Sequence, residues 1–357
     1  MKIIQCADLH LDSPLNTHMK REQASVRNAE ILQSFVRLTE YARDHAIDAV
    51  LIAGDLFDGE RVKSGTVSSV LDAIRQTPKV DYLYLAGNHD NAASAFSCRE
   101  LPDNLRCFTD RWRSFAYPEA VISGIEMTQD NCESLYDQVP HAEGKVNLVV
   151  LHGQIGTSCG VDQVNLKLLR EKGISYLALG HLHAYAKERL DSTGVYCYSG
   201  CLEGRGFDEC GEKGFVLIEI ERGRVQSEFV PFSCRRLHRV SVDVSGLTTN
   251  AEAVRAIENA SAEISALDMV EYVLCGACDP TADIAVPTLQ RLLRSKHFFS
   301  KIKDERRLAF DPAAFQNDVS LKGEFIRLVL SGELSDEEKS VIIRTGLEAL
   351  TGGEIAL

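Results

Sequence analysis

Residues 49–58 read AVLIAGDLFD, an apolar run followed at once by a glycine and two aspartates. A short apolar run without polar alternation is typical of a strand that is buried on both of its faces. The glycine lets the chain turn sharply out of such a strand and bring its backbone close to a bound ion. This stretch therefore predicts a central strand whose carboxyl end is followed by carboxylates.

Four other segments share this form, each followed by Gly, Asp, Asn or His: residues 2–7, 82–86, 146–151 and 176–179. Helical patterns at residues 22–45 and 65–76 separate the early runs. Strands that alternate with helices indicate βαβ units and an α/β fold, in which ligands bind just beyond the carboxyl ends of the strands. We therefore expect the polar residues after these five strands to meet at one site.

The remaining elements follow from the spacing of apolar residues and from capping residues. A helix is expected from Asp162 to Lys172, followed by consecutive strands at residues 196–199, 214–221 and 224–230. After a linker at residues 231–236, strands at 237–244, 269–276 and about 298–303 alternate with helices at 251–266 and about 286–293. Two amphipathic helices follow at 321–330 and 335–350, the second opened by a capping box of Ser335 and Glu338. The predicted domains are residues 1–232, 233–318 and 319–357.

The composition is that of a globular protein, with 45% hydrophobic and 25% charged residues among 357. We expect no membrane span, because no apolar run reaches about 18 residues, and no secretory signal. Eleven cysteines without framework spacing favour reduced thiols and a cytoplasmic location. The one C-x-x-C, Cys275 to Cys278, favours two small buried residues at a strand end over a zinc or redox site.

Short polar motifs follow the five predicted strands: Asp8-Leu9-His10, Gly54-Asp55-Leu56-Phe57-Asp58, Gly87-Asn88-His89-Asp90, His152-Gly153 and Gly180-His181-Leu182-His183. Each motif alone also fits a turn or a buried histidine. Together they offer carboxylate, amide and imidazole ligands, which suit manganese, iron or zinc. Seven of these residues, two Asp, one Asn and four His, form the expected ligand set. Seven ligands exceed the needs of one ion and fit two ions that share a carboxylate, with positions left for water and substrate.

This ordered set resembles the calcineurin-like metallophosphoesterase superfamily over residues 1–230. Three features are similar to the SbcD and YhaO branch of DNA-repair exonucleases: ADLHLD at residues 7–12, GRGFDE at residues 204–209, and Lys213-Gly214-Phe215 before a strand. The resemblance implies a layered α/β domain with central β-sheets flanked by helices. It also implies a small C-terminal α/β capping domain that contacts DNA.

The resemblance further implies a role for each residue of the motifs. Seven residues would bind metal: Asp8, His10 and His183 the first ion, Asn88, His152 and His181 the second, and Asp55 both. Manganese is expected, with iron or zinc as alternatives. His89 would stand beside the scissile phosphate as general acid or charge stabiliser, and Asp90 would fix its tautomer and orientation. Asp58 lies where archaeal and eukaryotic relatives usually have histidine and the bacterial pattern has aspartate, and a supporting role is expected for it.

The metal ligands do not select a substrate, because related centres serve phosphatases, cyclic-nucleotide esterases and nucleases. The net charge is −13, but local basic patches can oppose such a field. Two clusters are candidates for DNA-backbone contacts: Arg291, Arg294, Lys296, Lys301, Lys303, Arg306 and Arg307 near Asp304 and Glu305, and Arg235, Arg236 and Arg239. Either cluster alone also fits a solvated surface, but together with the resemblance to the SbcD and YhaO branch they imply a DNA exonuclease.

Two alternatives remain open, an esterase for small phosphodiesters such as cyclic nucleotides, and an inert binding or scaffold subunit. The resemblance also implies a coiled-coil ATPase partner of the SbcC or YhaN kind. The terminal helix pair either offers this partner an apolar docking face or, as is more common for such helices, only closes its own domain. Whether two copies of the chain form a homodimer is left open by the sequence.

Overall fold

The computed structural model describes residues 1–15, 19–59, 62–90, 96, 99–279, 282–308 and 318–350. The chain divides into two compact units, Met1–Arg236 and Leu237–Leu357. The finer division of the second unit near residue 318 stays a prediction. No helix among the described residues is both long and apolar enough to cross a lipid bilayer.

Strands dominate the first unit. In chain order they are β1 (Lys2–Cys6), β2 (Ala49–Ala53), β3 (Asp81–Leu85), β4 (Leu105–Cys107), β5 (Arg113–Ala116), β6 (Ala120–Gly124), β7 (Val146–His152), β8 (Gln154–Gly156), β9 (Gln163–Asn165), β10 (Tyr176–Gly180), β11 (Ala186–Arg189), β12 (Val195–Tyr198), β13 (Gly214–Glu221) and β14 (Arg224–Pro231). Its helices are α1 (Arg21–Asp44), α2 (Ser64–Arg75) and the single turn α3 (Leu166–Leu169), with a 3-10 turn at Leu135–Gln138.

Two six-stranded sheets contain twelve of these strands, in the orders β14-β13-β1-β2-β3-β4 and β11-β12-β10-β7-β6-β5, and β8 pairs with β9 separately. In the first sheet β1, β2, β3 and β4 run parallel, and in the second β6, β7, β10 and β12 do. Parallel strands end at the same edge of their sheet. The motifs that follow β1, β2, β3, β7 and β10 therefore leave the two sheets at their carboxyl edges.

The two sheets face each other across a buried apolar layer. Leu51 and Leu83 of the first sheet and Leu148 and Ala178 of the second lie in this layer, and all four are fully buried. Helices α1 and α2 cover the opposite face of the first sheet, and α3 with the 3-10 turn covers that of the second. Burial on both faces explains the uninterrupted apolar runs, and the predicted layered α/β fold is confirmed.

The helix expected from Asp162 to Lys172 is wrong. Residues 163–165 form β9, and the short helix α3 follows with Asn165 as its N-cap, whose side chain accepts a hydrogen bond from the Lys167 backbone N–H. Arg170 is extended and Glu171 has a φ of 59°, so the backbone leaves the helical region after one turn. The observed N-cap thus lies three residues after Asp162, where the helix was expected to begin.

The second unit contains a parallel sheet of β15 (Leu237–Asp243), β16 (Met269–Cys275) and β18 (Phe299–Asp304), and a smaller pair of β17 (Ala277–Cys278) and β19 (Arg307–Leu308). Helices α4 (Asn250–Ala260) and α5 (Val286–Leu292) pack on the larger sheet. Helices α6 (Leu321–Leu330) and α7 (Asp336–Leu350) pack on each other through Ile326, Ile343 and Leu347.

Two details of the second unit bear on the sequence predictions. The capping box is present at the start of α7, where the Ser335 hydroxyl accepts from the Glu338 backbone N–H and the Glu338 carboxylate accepts from Ser335. Helix α4 is shorter than expected and ends at Ala260. Cys275 closes β16, and Cys278 lies buried in β17.

Replacement of Leu51 by alanine tests the layer between the sheets. Leu51→Ala leaves a cavity in the centre of the first unit, so we expect its free energy of unfolding to fall by about 2–5 kcal/mol in urea titration. Leu267→Ala is the control, because that side chain is 65% exposed, and it should change stability by less than about 0.5 kcal/mol. A loss below about 1 kcal/mol for Leu51→Ala would contradict the two-sheet packing.

Candidate metal centre

Backbone hydrogen bonds tie the loops at the carboxyl edges together. The Asp8 N–H donates to the Gly54 carbonyl at 3.0 Å, and the His10 N–H donates to the Asp55 carbonyl at 2.9 Å. Across the two sheets, Nδ1 of His152 lies 2.9 Å from the Ala53 carbonyl. The ends of β1, β2 and β7 are thus held side by side, and their polar residues face a common space.

Two glycines allow this close approach. A Cβ atom on Gly54 would overlap the His152 ring, and one on Gly87 would overlap the Asp55 carboxylate. Gly54 also has a φ of 94°, which L side chains rarely adopt. The glycines of the sequence motifs therefore make room for predicted ligands that come from other strands.

Four predicted ligands have backbone conformations that are rare for residues other than glycine. The φ angles of Asp8, His10, Asp55 and His181 are 54°, 46°, 52° and 103°. Such conformations cost about 1–3 kcal/mol each and persist where the surrounding structure enforces them, often at functional sites. Four of the eight non-glycine residues with positive φ in the described chain are thus predicted ligands.

Short distances link all seven predicted ligands. Nε2 of His10 lies 3.1 Å from Nε2 of His183, and Oδ1 of Asn88 lies 2.9 Å from Nε2 of His152 and 3.3 Å from Nδ1 of His181. Between these groups, Oδ2 of Asp55 lies 3.6 Å from Nε2 of His10 and 3.4 Å from Nε2 of His152. Three sets have ligand atoms within 4.8 Å of one another: Asp8, His10 and His183; His10, Asp58 and His89; and Asp8, Asp55 and His152.

Asp8 and Asp55 are among the most buried acidic residues of the described chain. Burial raises the pKa of Asp8 to about 7, although His152 and His183 nearby act in the opposite direction. Burial also acts against the charged form of Asp55, but the hydrogen bond and charge of His152 outweigh it and lower the pKa of that carboxyl. Both oxygens of Asp8 accept from the His181 backbone N–H. The ionised form of Asp8 is thus the less well compensated of the two.

His89 lies at the open side of this cluster, and half of its side chain is exposed. Its Nδ1 lies 3.0 Å from Oδ1 of Asp58, and its backbone N–H donates to Oδ1 of Asp55. Asp90 was expected to orient the ring of His89, but the contacts give this role to Asp58. The Asp90 carboxylate accepts from the backbone N–H groups of Leu56, Phe57 and Gly87 and so shapes the loops instead.

Three residues that the sequence did not assign to the site hold His183 in place. Oε1 of Glu209 lies 2.6 Å from Nδ1 of His183, and Arg205 donates to the same carboxylate. Nζ of Lys213 donates to the His183 carbonyl at 2.5 Å. These residues belong to the segments GRGFDE and Lys213-Gly214-Phe215, which carried the branch resemblance, so a signal existed in the sequence without a role attached to it.

Ion pairs engage much of the two basic clusters. Within the second unit, Glu271 accepts from both Arg239 and Lys301, and buried Arg306 binds Asp304. Other pairs are Arg235 with Glu30, Arg236 with Glu212, and Lys303 with Glu305. Arg291, Arg294 and Arg307 are exposed, and no ion pair of theirs is found within the described residues. Buried Arg306 therefore does not fit the DNA contact expected of it.

Proteins similar to this chain include two curated relatives and one solved structure. The chain is 27% identical over 288 residues to the DNA double-strand break repair protein Mre11 of Methanopyrus kandleri, covering 72% of this chain and 62% of the relative. It is 27% identical over 263 residues to metallophosphoesterase YhaO of Bacillus subtilis, covering 69% and 64%. The protein TT1561 of Thermus thermophilus superposes with a TM-score of 0.42 at 12% identity, covering 64% of this chain and 98% of that one.

The chain spans less than two thirds of the length of these two curated relatives. These relatives are consistent with the expected SbcD and YhaO branch. The sequence profile of the calcineurin-like phosphoesterases matches residues 1–185, more than half of the chain. The chain belongs to the calcineurin-like phosphoesterase family.

Proposed function

We propose that this chain hydrolyses phosphodiester bonds with two divalent metal ions, and that its substrate is DNA. The position of Asp55 carries the proposal. One of its oxygens lies 3.6 Å from Nε2 of His10 and 3.4 Å from Nε2 of His152, between the two groups of predicted ligands. A carboxylate in that position suits a ligand shared by two ions.

The residues present fit divalent cations. Nε2 of His10 faces Nε2 of His183 at 3.1 Å, and two imidazole nitrogens so placed repel each other unless a proton or a cation lies between them. The buried Asp8 carboxylate is also poorly compensated, since burial raises its pKa to about 7. Positive charge among these groups would relieve both conflicts, and oxygen with imidazole ligands suits manganese, iron or zinc.

In this proposal Asp8, His10 and His183 would hold one ion, Asn88, His152 and His181 would hold the other, and Asp55 would be a ligand of both. Bound there, the cations would lower the pKa of water and offset the negative charge of the phosphate. Manganese is the proposed metal. The protein contributes the fixed ligand positions, which the glycine turns and the hydrogen bonds between strand ends maintain.

His89 is proposed to act on the leaving group. Asp58 holds its Nδ1 at 3.0 Å, while half of the side chain is open to substrate. With Nδ1 engaged, Nε2 is the atom that can donate a proton or hydrogen bond to the departing oxygen, an effect of about 10²–10⁴ in rate. Asp90 supports this geometry through the backbone of residues 56 and 57.

DNA is proposed as substrate because the Mre11 relatives are DNA double-strand break repair proteins. The second unit, with exposed Arg291, Arg294 and Arg307, is the proposed DNA-contact region. A coiled-coil ATPase of the SbcC or YhaN kind, a homodimer and a cytoplasmic location belong to the same proposal. Because much of the basic charge is paired, an esterase for small phosphodiesters remains the second candidate.

Two substitutions should separate metal binding from proton donation. Asp55→Ala removes the shared ligand, so we expect manganese content and hydrolysis of bis-nitrophenyl phosphate to fall together. His89→Ala removes a group outside the metal ligands, so we expect at least a roughly 100-fold loss of kcat with manganese content nearly intact. Metal content is measured by plasma mass spectrometry on the same samples. Full activity of His89→Ala would refute its role.

The choice of substrate is tested with end-labelled linear DNA, covalently closed DNA and bis-nitrophenyl phosphate, each with purified full-length protein and manganese. We expect degradation of linear DNA that weakens steeply as salt rises, because phosphate contacts release counterions. Closed DNA should resist an exonuclease. Hydrolysis of the small ester with no attack on either DNA would favour the second candidate.

A further inference from the structure

Two buried carboxylates lie on one loop between β12 and β13. Glu203 and Glu209 are 2% and 6% exposed and are six residues apart, yet they face different partners. Glu209 contacts the metal ligand His183, as described above. Glu203 faces helix α1, where Arg27 donates to it at 2.6 Å and Ser34 at 2.5 Å, and it also accepts from the Cys234 backbone N–H.

The contact of Glu209 with His183 is specific in its atoms. Oε1 of Glu209 lies 2.6 Å from Nδ1 of His183, and a carboxylate can only accept, so this nitrogen carries the proton. Nη2 of Arg205 is also 3.2 Å from Nδ1, but the same group donates to Oε1 of Glu209 at 3.0 Å. The protonated Nδ1 leaves Nε2 of His183 as a lone-pair donor that faces His10.

The carboxylate of Glu209 is itself held in place. Arg205 donates to it from both its backbone N–H at 2.7 Å and its guanidinium. Separate contacts fix the backbone of His183, since Lys213 and Cys201 donate to its carbonyl. Glu209 therefore acts on the ring of His183.

We infer that Glu209, held by Arg205, is the positioning residue that fixes the tautomer and direction of His183 for binding a divalent cation. This inference rests on the proposed function. Partners of this kind orient ligating histidines, and their removal typically costs about 10- to 100-fold in metal affinity or activity. Glu209 contacts no reacting atom, and its effect passes through His183.

The loop supplies its own control. Glu203→Gln changes a carboxylate that is similarly buried on the same segment but faces Arg27 and Ser34 instead of the metal centre. Both Glu203→Gln and Glu209→Gln keep the size of the side chain, so each should fold. A general loosening of the loop would affect the two variants alike, whereas a direct effect on His183 belongs to Glu209 alone.

The test is calorimetric titration of metal-free, full-length protein with manganese. For the wild-type protein we expect two ions per chain. For Glu209→Gln we expect one of the two affinities to fall by about 10- to 100-fold, with the other little changed. Glu203→Gln should keep both affinities within about twofold of wild type while lowering the melting temperature of the metal-free protein.

A second readout does not depend on metal. Nitrogen NMR of histidine-labelled, metal-free protein reports which ring nitrogen of His183 carries the proton. We expect Nδ1 in the wild-type protein and in Glu203→Gln, and a mixture of tautomers in Glu209→Gln. Unchanged manganese affinities and an unchanged tautomer in Glu209→Gln would overturn the inference, as would equal losses of affinity in both variants. If the wild-type protein binds no divalent cation, the proposed function itself is contradicted.

Discussion

The constraint on which the site depends is the burial of ionisable groups where parallel strands end. Asp8 and Asp55 are almost inaccessible to water, and His10 and His152 are buried beside them. Moving a carboxylate out of water costs several kcal/mol unless partners compensate it. Backbone N–H groups of His181 and His89 supply part of this compensation. The fold thus buries carboxylate charge that these hydrogen bonds compensate only in part, and a bound cation would compensate the rest.

The rest of the first unit keeps this arrangement in place. Left-handed backbone at Asp8, His10 and Asp55 carries strain, which relaxes if the surrounding structure lets the loops move. Here the strands that precede these residues are buried on both faces between sheet and helices. A packed interior has no room into which a strand end can shift. Tight packing of the two-sheet layer therefore also fixes the positions of the predicted ligands.

The sequence predicts those parts of the site that are local. Each predicted metal-ligand motif directly follows an apolar strand, so residue type and strand order are enough to place Asp55 and His152 together. Asp58 and Asp90 are different, because both belong to motifs at neighbouring strand ends and only the loop conformation decides which one meets the ring of His89. The role of Glu209 is still harder to predict from the sequence. It reaches His183 across the β11–β12 hairpin, and nothing in the spacing of 26 residues indicates that contact.

Which basic residues are free to bind DNA also could not be predicted from the sequence. The basic residues of the second unit looked available in sequence, but sheet register sets Glu271 between Arg239 and Lys301 on adjacent strands. Pairing of this kind removes cations that would otherwise neutralise phosphates. With a net charge of −13, the long-range field opposes a polyanion as well. DNA binding by this chain would then depend on a few exposed arginines and on the cation centre itself, so affinity and catalysis would share the same metal ligands.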